Sequence, residues 1–125
     1  MSNAITTFNM EGYPIGVMLA IGSAKAEMIA EAGDRGCSTD TCLKFWKWEP
    51  TRSERGHTAV LPCVRVVIWL RDVDVPASTI AHEAFHAVYG VFPQLGIRLC
   101  HATEEVFAYA IENLVRQITE QVQTK

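Results

Sequence analysis

The 125-residue chain has no charge excess of consequence: 11 Lys and Arg stand against 14 Asp and Glu, giving a net charge of -3 and a pI near 5.8. Such a balance offers no basic surface to a nucleic acid or an anionic membrane. Even the most basic stretch, Thr51-Arg52-Ser53-Glu54-Arg55-Gly56-His57, carries an acid beside its two arginines and reads as a solvated loop with His57 exposed. Long apolar runs are missing too. Pro14 to Ile21 is far too short to span a bilayer and has no basic lead-in. The four cysteines, Cys37, Cys42, Cys63 and Cys100, form no Cys-x-x-Cys pair, and no secretory leader is evident, so free thiols in a soluble, cytoplasmic protein are expected. Cys37 and Cys42 flank a short polar turn that would let them approach each other. There is no repeat, linker or low-complexity run, and 49% apolar residues suffice for one core without staples. Met1-Ser2-Asn3-Ala4 resembles an expression remnant, which leaves residues 5–125 as a single domain.

What the chain does have is His82-Glu83-Ala84-Phe85-His86, in a segment that reads as helix. Residues four apart share a helix face, so both imidazoles can grip one ion. A catalytic zinc takes nitrogen and carboxylate ligands with one position open, and Glu83 can reach a water held there. A shuffled chain of this composition would contain the string by chance only about 1% of the time. Its flanks, Ile80-Ala81 before and Ala87-Val88 after, are apolar, as expected of a helix buried around its ligands.

A third protein ligand must come from elsewhere. A His six residues after the second, with Gly at the third, is excluded, because Phe92 and Tyr89 hold those positions. The other common source is a Glu on a following helix. Thr103-Glu104-Glu105-Val106-Phe107-Ala108-Tyr109 opens such a helix 18 to 19 residues after His86, with room for a turn near Pro93-Gln94-Leu95-Gly96. Phe107, Ile111, Leu114, Val115, Ile118 and Val122 mark the buried stripe by their 3.6-residue period. Periodicity places Glu104 on that stripe and Glu105 about 100° to its side.

Together, Thr79-Ile80-Ala81-His82-Glu83-Ala84-Phe85-His86-Ala87 and Glu105-x-x-Ala108-Tyr109 resemble the gluzincin-type zinc metallopeptidases, in particular small ones encoded by phages and prophages. The likeness covers roughly residues 64 to 115. It implies a zinc ion on His82, His86 and a downstream Glu, a peptide or protein substrate, and Glu83 as general base. Its pattern of Glu followed at the third position by a small residue favours Glu105, with Ala108, over Glu104. Larger gluzincins often carry Asp four residues after that Glu, where this chain has Tyr109. Tyr109, Tyr89 and His101 are the candidate donors to a developing oxyanion, and Tyr109 is chosen with Glu83 as catalytic.

The remaining pattern predicts an α+β fold, a small antiparallel or mixed sheet on three helices in the order strand, helix, strand, strand, helix, helix. Strands are expected at Tyr13–Ile21, Cys42–Trp48 and Cys63–Leu70, the last two paired as a hairpin after Pro62. A helix from Gly22-Ser23 through Ala32 would end on a left-handed Gly33. Asp74 or Ser78 would cap the metal helix, with Pro76 in its first turn. The resemblance further implies that Val64–Leu70 borders the cleft and binds an extended substrate, while its near-continuous apolar run suits equally a plain core strand buried on both faces. So small a chain has few loops for a specificity pocket, which leaves homodimerisation open as a way to complete the cleft.

Overall fold

In β4 (Arg65–Leu70) every residue after Arg65 is buried, as in β2 (Gly16–Ile21), where Val17 to Ala20 are buried. Strands covered on both faces need apolar side chains on both, and these two pair in parallel at the centre of a mixed four-stranded sheet. The computed structural model describes residues 4–38, 40–42, 48, 54–62 and 65–125. Its outer strands are β1 (Ala4–Asn9), antiparallel to β2, and β3 (Gly56–Leu61), antiparallel to β4, giving the order β1-β2-β4-β3.

Alternation along the strands divides the interior in two. Val17, Leu19, Val66, Ile68 and Leu70 face α2 (Ala77–Val91) and α3 (Glu104–Gln123), which contribute Ile80, Ala84, Val88, Phe107, Leu114 and Ile118. Phe92 sits between the rings of Tyr13 and Phe107, 4.8 and 5.0 Å away. Met18, Ala20, Val67 and Trp69 face the other way, onto Met28 and Ala32 of α1 (Lys25–Asp34) and onto Cys37 and Cys42. Among the described residues no helix is long and apolar enough to cross a membrane.

The α+β class and the mixed sheet match expectation, and the strand order does not. A first strand, β1, begins at Ala4, inside the tetrapeptide set aside above. The antiparallel partner of β4 is Gly56–Leu61 rather than Cys42–Trp48, and β2 occupies the other side of β4. Of the strand expected there, residues 43–47 lie outside the described residues, and Cys42 belongs to a helical turn. The end of α1 also differs. Gly33 stays helical, and Gly36 takes the positive φ of 97° while Cys37 N–H bonds the Ala32 carbonyl at 2.9 Å, a six-to-one closure that needs Gly two residues past the helix. Pro76 stands at the N-cap of α2 with no side-chain cap, so neither Asp74 nor Ser78 fills that role. After Val91 a 3-10 turn, Phe92–Leu95, ends on left-handed Gly96, where the turn was expected.

Candidate metal centre

The 3.6-residue period of α2 gives it two unlike faces. Ile80, Glu83, Ala84, Ala87, Val88 and Val91 are buried, whereas His82, Phe85, His86 and Tyr89 are exposed. The helix is therefore not buried around its histidines as its apolar flanks suggested; it buries the neighbouring face instead.

On the exposed face the two imidazoles turn toward each other, Nε2 to Nε2 at 3.1 Å, with ring planes 76° apart. An ion about 2.05 Å from each nitrogen would see them at about 100°, close to a tetrahedral angle, so these two donors fit zinc. Phe85 extends the face, stacked on Tyr89 at 5.5 Å and edge-on to His86 at 6.0 Å.

Glu83 is 5% exposed and is held by β3. The Thr58 hydroxyl donates to its Oε1 at 2.7 Å and lies 3.1 Å from its main-chain oxygen. This contact depends on close approach of helix and strand. A Cβ on Gly56 would lie 3.0 Å from Glu83 Cγ and 3.1 Å from its Oε2, and one on Gly90 only 2.6 Å from Val60 Cγ2. Two glycines thus bring α2 down onto β3. Glu54, Arg55, Gly56, Ser78, Thr79, His82 and Glu83 line an open cleft of about 370 Å³ at that junction.

His57, expected in an exposed loop, lies in β3 opposite Trp69, on the pleat facing away from Thr58. It is half-buried and stacked on Trp48 at 4.2 Å. Glu54 accepts a hydrogen bond from Trp48 Nε1 at 2.7 Å and stands 3.8 Å from His57 Nδ1. Burial pushes the His57 pKa below its ordinary 6.5 and the nearby His86 adds to this, against the opposite pull of Glu54 and Glu83. His57 therefore senses the site electrostatically from the far side of the edge strand.

The other expected site residues are dispersed along α3. Glu104 and Glu105 are both exposed in its first turn, and Tyr109 is 61% exposed one turn on. Glu104 does not enter the core as its register suggested. Among the described residues, no group of three or more His, Cys, Asp or Glu is gathered that could hold a metal ion. The structure thus brings His82 and His86 together, sets Glu83 on the neighbouring buried face of the same helix, and leaves a third donor apart. The strand beside Glu83 is β3, at the sheet edge, while β4 is interior. Of the two readings of that stretch, the core strand buried on both faces holds for β4 and the cleft border does not. Sequence reasoning missed Gly56, Thr58, Glu54 and Trp48, although His57-Thr58-Ala59-Val60-Leu61 before Pro62 carries the β-branched signature of a strand.

The chain matches no family model, no curated protein and no solved structure.

Proposed function

We propose that the protein is a zinc-dependent peptidase of minimal zincin type, with His82 and His86 as metal ligands and Glu83 as general base. The observation that supports this most is the facing imidazole pair at 3.1 Å beside a carboxylate anchored at a cleft. Zinc bound there would supply Lewis acidity, lowering the pKa of a water and polarising a substrate carbonyl. Glu83 accepts the proton of the attacking water and returns it to the leaving amine, so one carboxylate is base and then acid. Thr58 keeps that carboxylate in place while it changes protonation state. An extended peptide adds to the outer edge of β3, where no other described strand pairs. Glu105, ahead of Glu104, would have to approach from the first turn of α3 to complete the ligand set, and the Tyr109 hydroxyl would be the donor to the developing oxyanion.

One observation favours a second function: among the described residues only two donors converge. A binding or assembly protein, of a phage or prophage if the resemblance holds, would carry such an ion as a structural or vestigial feature. Zinc analysis and a peptide-library digest of wild type, His82→Ala and Glu83→Gln decide between them. One zinc per chain that His82→Ala removes, with cleavage that Glu83→Gln abolishes while keeping the metal, supports the peptidase. Zinc without turnover in the wild type supports the second function. A Glu83→Gln variant with full activity overturns the general-base assignment, and no zinc under replete conditions overturns the metal site.

A further inference from the structure

On the sheet face opposite α2, two cysteines meet inside the second apolar cluster. After the turn at Gly36 the chain reverses through Ser38, whose hydroxyl accepts the Thr41 N–H at 3.1 Å and donates to Thr41 Oγ1 at 2.8 Å. Cys42 N–H bonds the Ser38 carbonyl at 3.0 Å. These contacts set the Cys37 and Cys42 sulfurs 3.2 Å apart, and an approach of about 1 Å would bring them to bonding distance. Cys42 is wholly buried and Cys37 is 9% exposed, so Cys37 is the more accessible residue of the pair. Among the described residues no third His, Cys, Asp or Glu joins them to make a metal site.

We propose that Cys37 and Cys42 form a reversible dithiol–disulfide site, oxidised by small-molecule disulfides of the glutathione type. The Cys37 thiol gives its proton to solvent, and its thiolate attacks one sulfur of the small disulfide, breaking that S–S bond and releasing one thiolate, which takes up a proton. Cys42 then loses its proton and attacks the Cys37 sulfur of the mixed disulfide, releasing the second small thiol. The protein pair gives up two electrons and two protons, and one small disulfide becomes two thiols. Burial, then the hydrogen bond and charge of Cys37, pushes the Cys42 thiol of the reduced pair up to about 11; the burial persists once Cys37 is in the mixed disulfide, so ring closure speeds up as pH rises.

The sequence allows a direct test, because trypsin cutting after Arg35 and Lys44 releases both cysteines in one peptide, 36–44. The reduced full-length protein is incubated across a series of oxidised-to-reduced glutathione ratios, quenched with N-ethylmaleimide, digested and weighed. The expected result is a 36–44 peptide that carries no label and has lost about 2 Da, one S–S bond in place of two S–H bonds. Dithiothreitol should restore a doubly labelled peptide, and Cys37→Ser should prevent the loss. Cys100, exposed and with its thiol held below the ordinary range by hydrogen bonds with Thr103, is the internal control for reagent access. The proposal is overturned if 36–44 takes two labels at every ratio at which Cys100 is oxidised. It is also overturned if a lasting glutathione adduct on Cys37 is found in place of the ring, or if either cysteine pairs outside this peptide.

Discussion

The two faces of α2 are held by different means. The inward face is fixed by the fold itself: Ala84, Ala87 and Val88 fill the core, Gly90 lets Val60 approach, and Thr58 binds the Glu83 carboxylate. The outward face, His82, Phe85, His86 and Tyr89, is held by side-chain contacts along the helix. A buried carboxylate tied to a neighbouring strand is oriented before any ligand arrives, whereas exposed imidazoles stay exchangeable until an ion orders them. Under the proposed function, the difference would separate a positioned base from a pair of ligands awaiting an ion.

If that separation is right, substitutions on the two faces should fail differently. Glu83→Gln should lower kcat by about 10²- to 10⁴-fold at unchanged zinc content, the range for loss of a general acid–base group. His82→Ala should instead remove the zinc while leaving zinc-free stability to urea nearly unaltered, since its side chain is exposed. Equal losses of zinc in both variants would erase the distinction.

Gly90→Ala tests the inward face without touching chemistry. Its Cβ would lie 2.6 Å from Val60 Cγ2, an overpacking that should cost about 1–3 kcal/mol in urea unfolding. Because the helix must then lift from β3, kcat should fall as well. Thr58→Val keeps the volume and removes the donor to Glu83, with an expected cost of about 1–2 kcal/mol. A Thr58→Val protein with unchanged stability and kcat would show that the 2.7 Å hydrogen bond does not position Glu83.

Helix α2 was legible because two signals coincide there, a helical apolar period and the His-Glu-x-x-His spacing. Helix α3 was legible from its stripe alone. The edge strand was not. Arg52, Glu54, Arg55 and His57 make the stretch before Pro62 look solvated, although Ala59 and Leu61 are buried, because an edge strand needs apolar residues on only part of its surface. With β3 unseen, its place beside β4 went to the aromatic residues 42–48, and Thr58 and Gly56 could not be put next to Glu83. Glu104 against Glu105 was undecidable for a different reason. Helical phase fixes direction from one axis, whereas ligation depends on how two helices approach, and here both carboxylates remain in solvent.

The smallest expected effect concerns His57, which lies across the edge strand from both faces. Its folded pKa is below the ordinary 6.5, chiefly through burial, so between that pH and its folded value the unfolded chain binds a proton that the native chain does not. The unfolded state is thereby favoured as pH falls, and zinc-free stability should decline through the window below about 6.5, then level off once the folded imidazole also titrates. Urea unfolding with chelator across this range should show the decline, and His57→Asn should flatten part of it. Removing the Glu54 charge gives the sharper test. Glu54 is the largest influence raising the His57 pKa, so Glu54→Gln should push the folded value lower and extend the declining window to more acidic pH. A window that narrows in Glu54→Gln would mean that the Glu54 charge does not raise the His57 pKa.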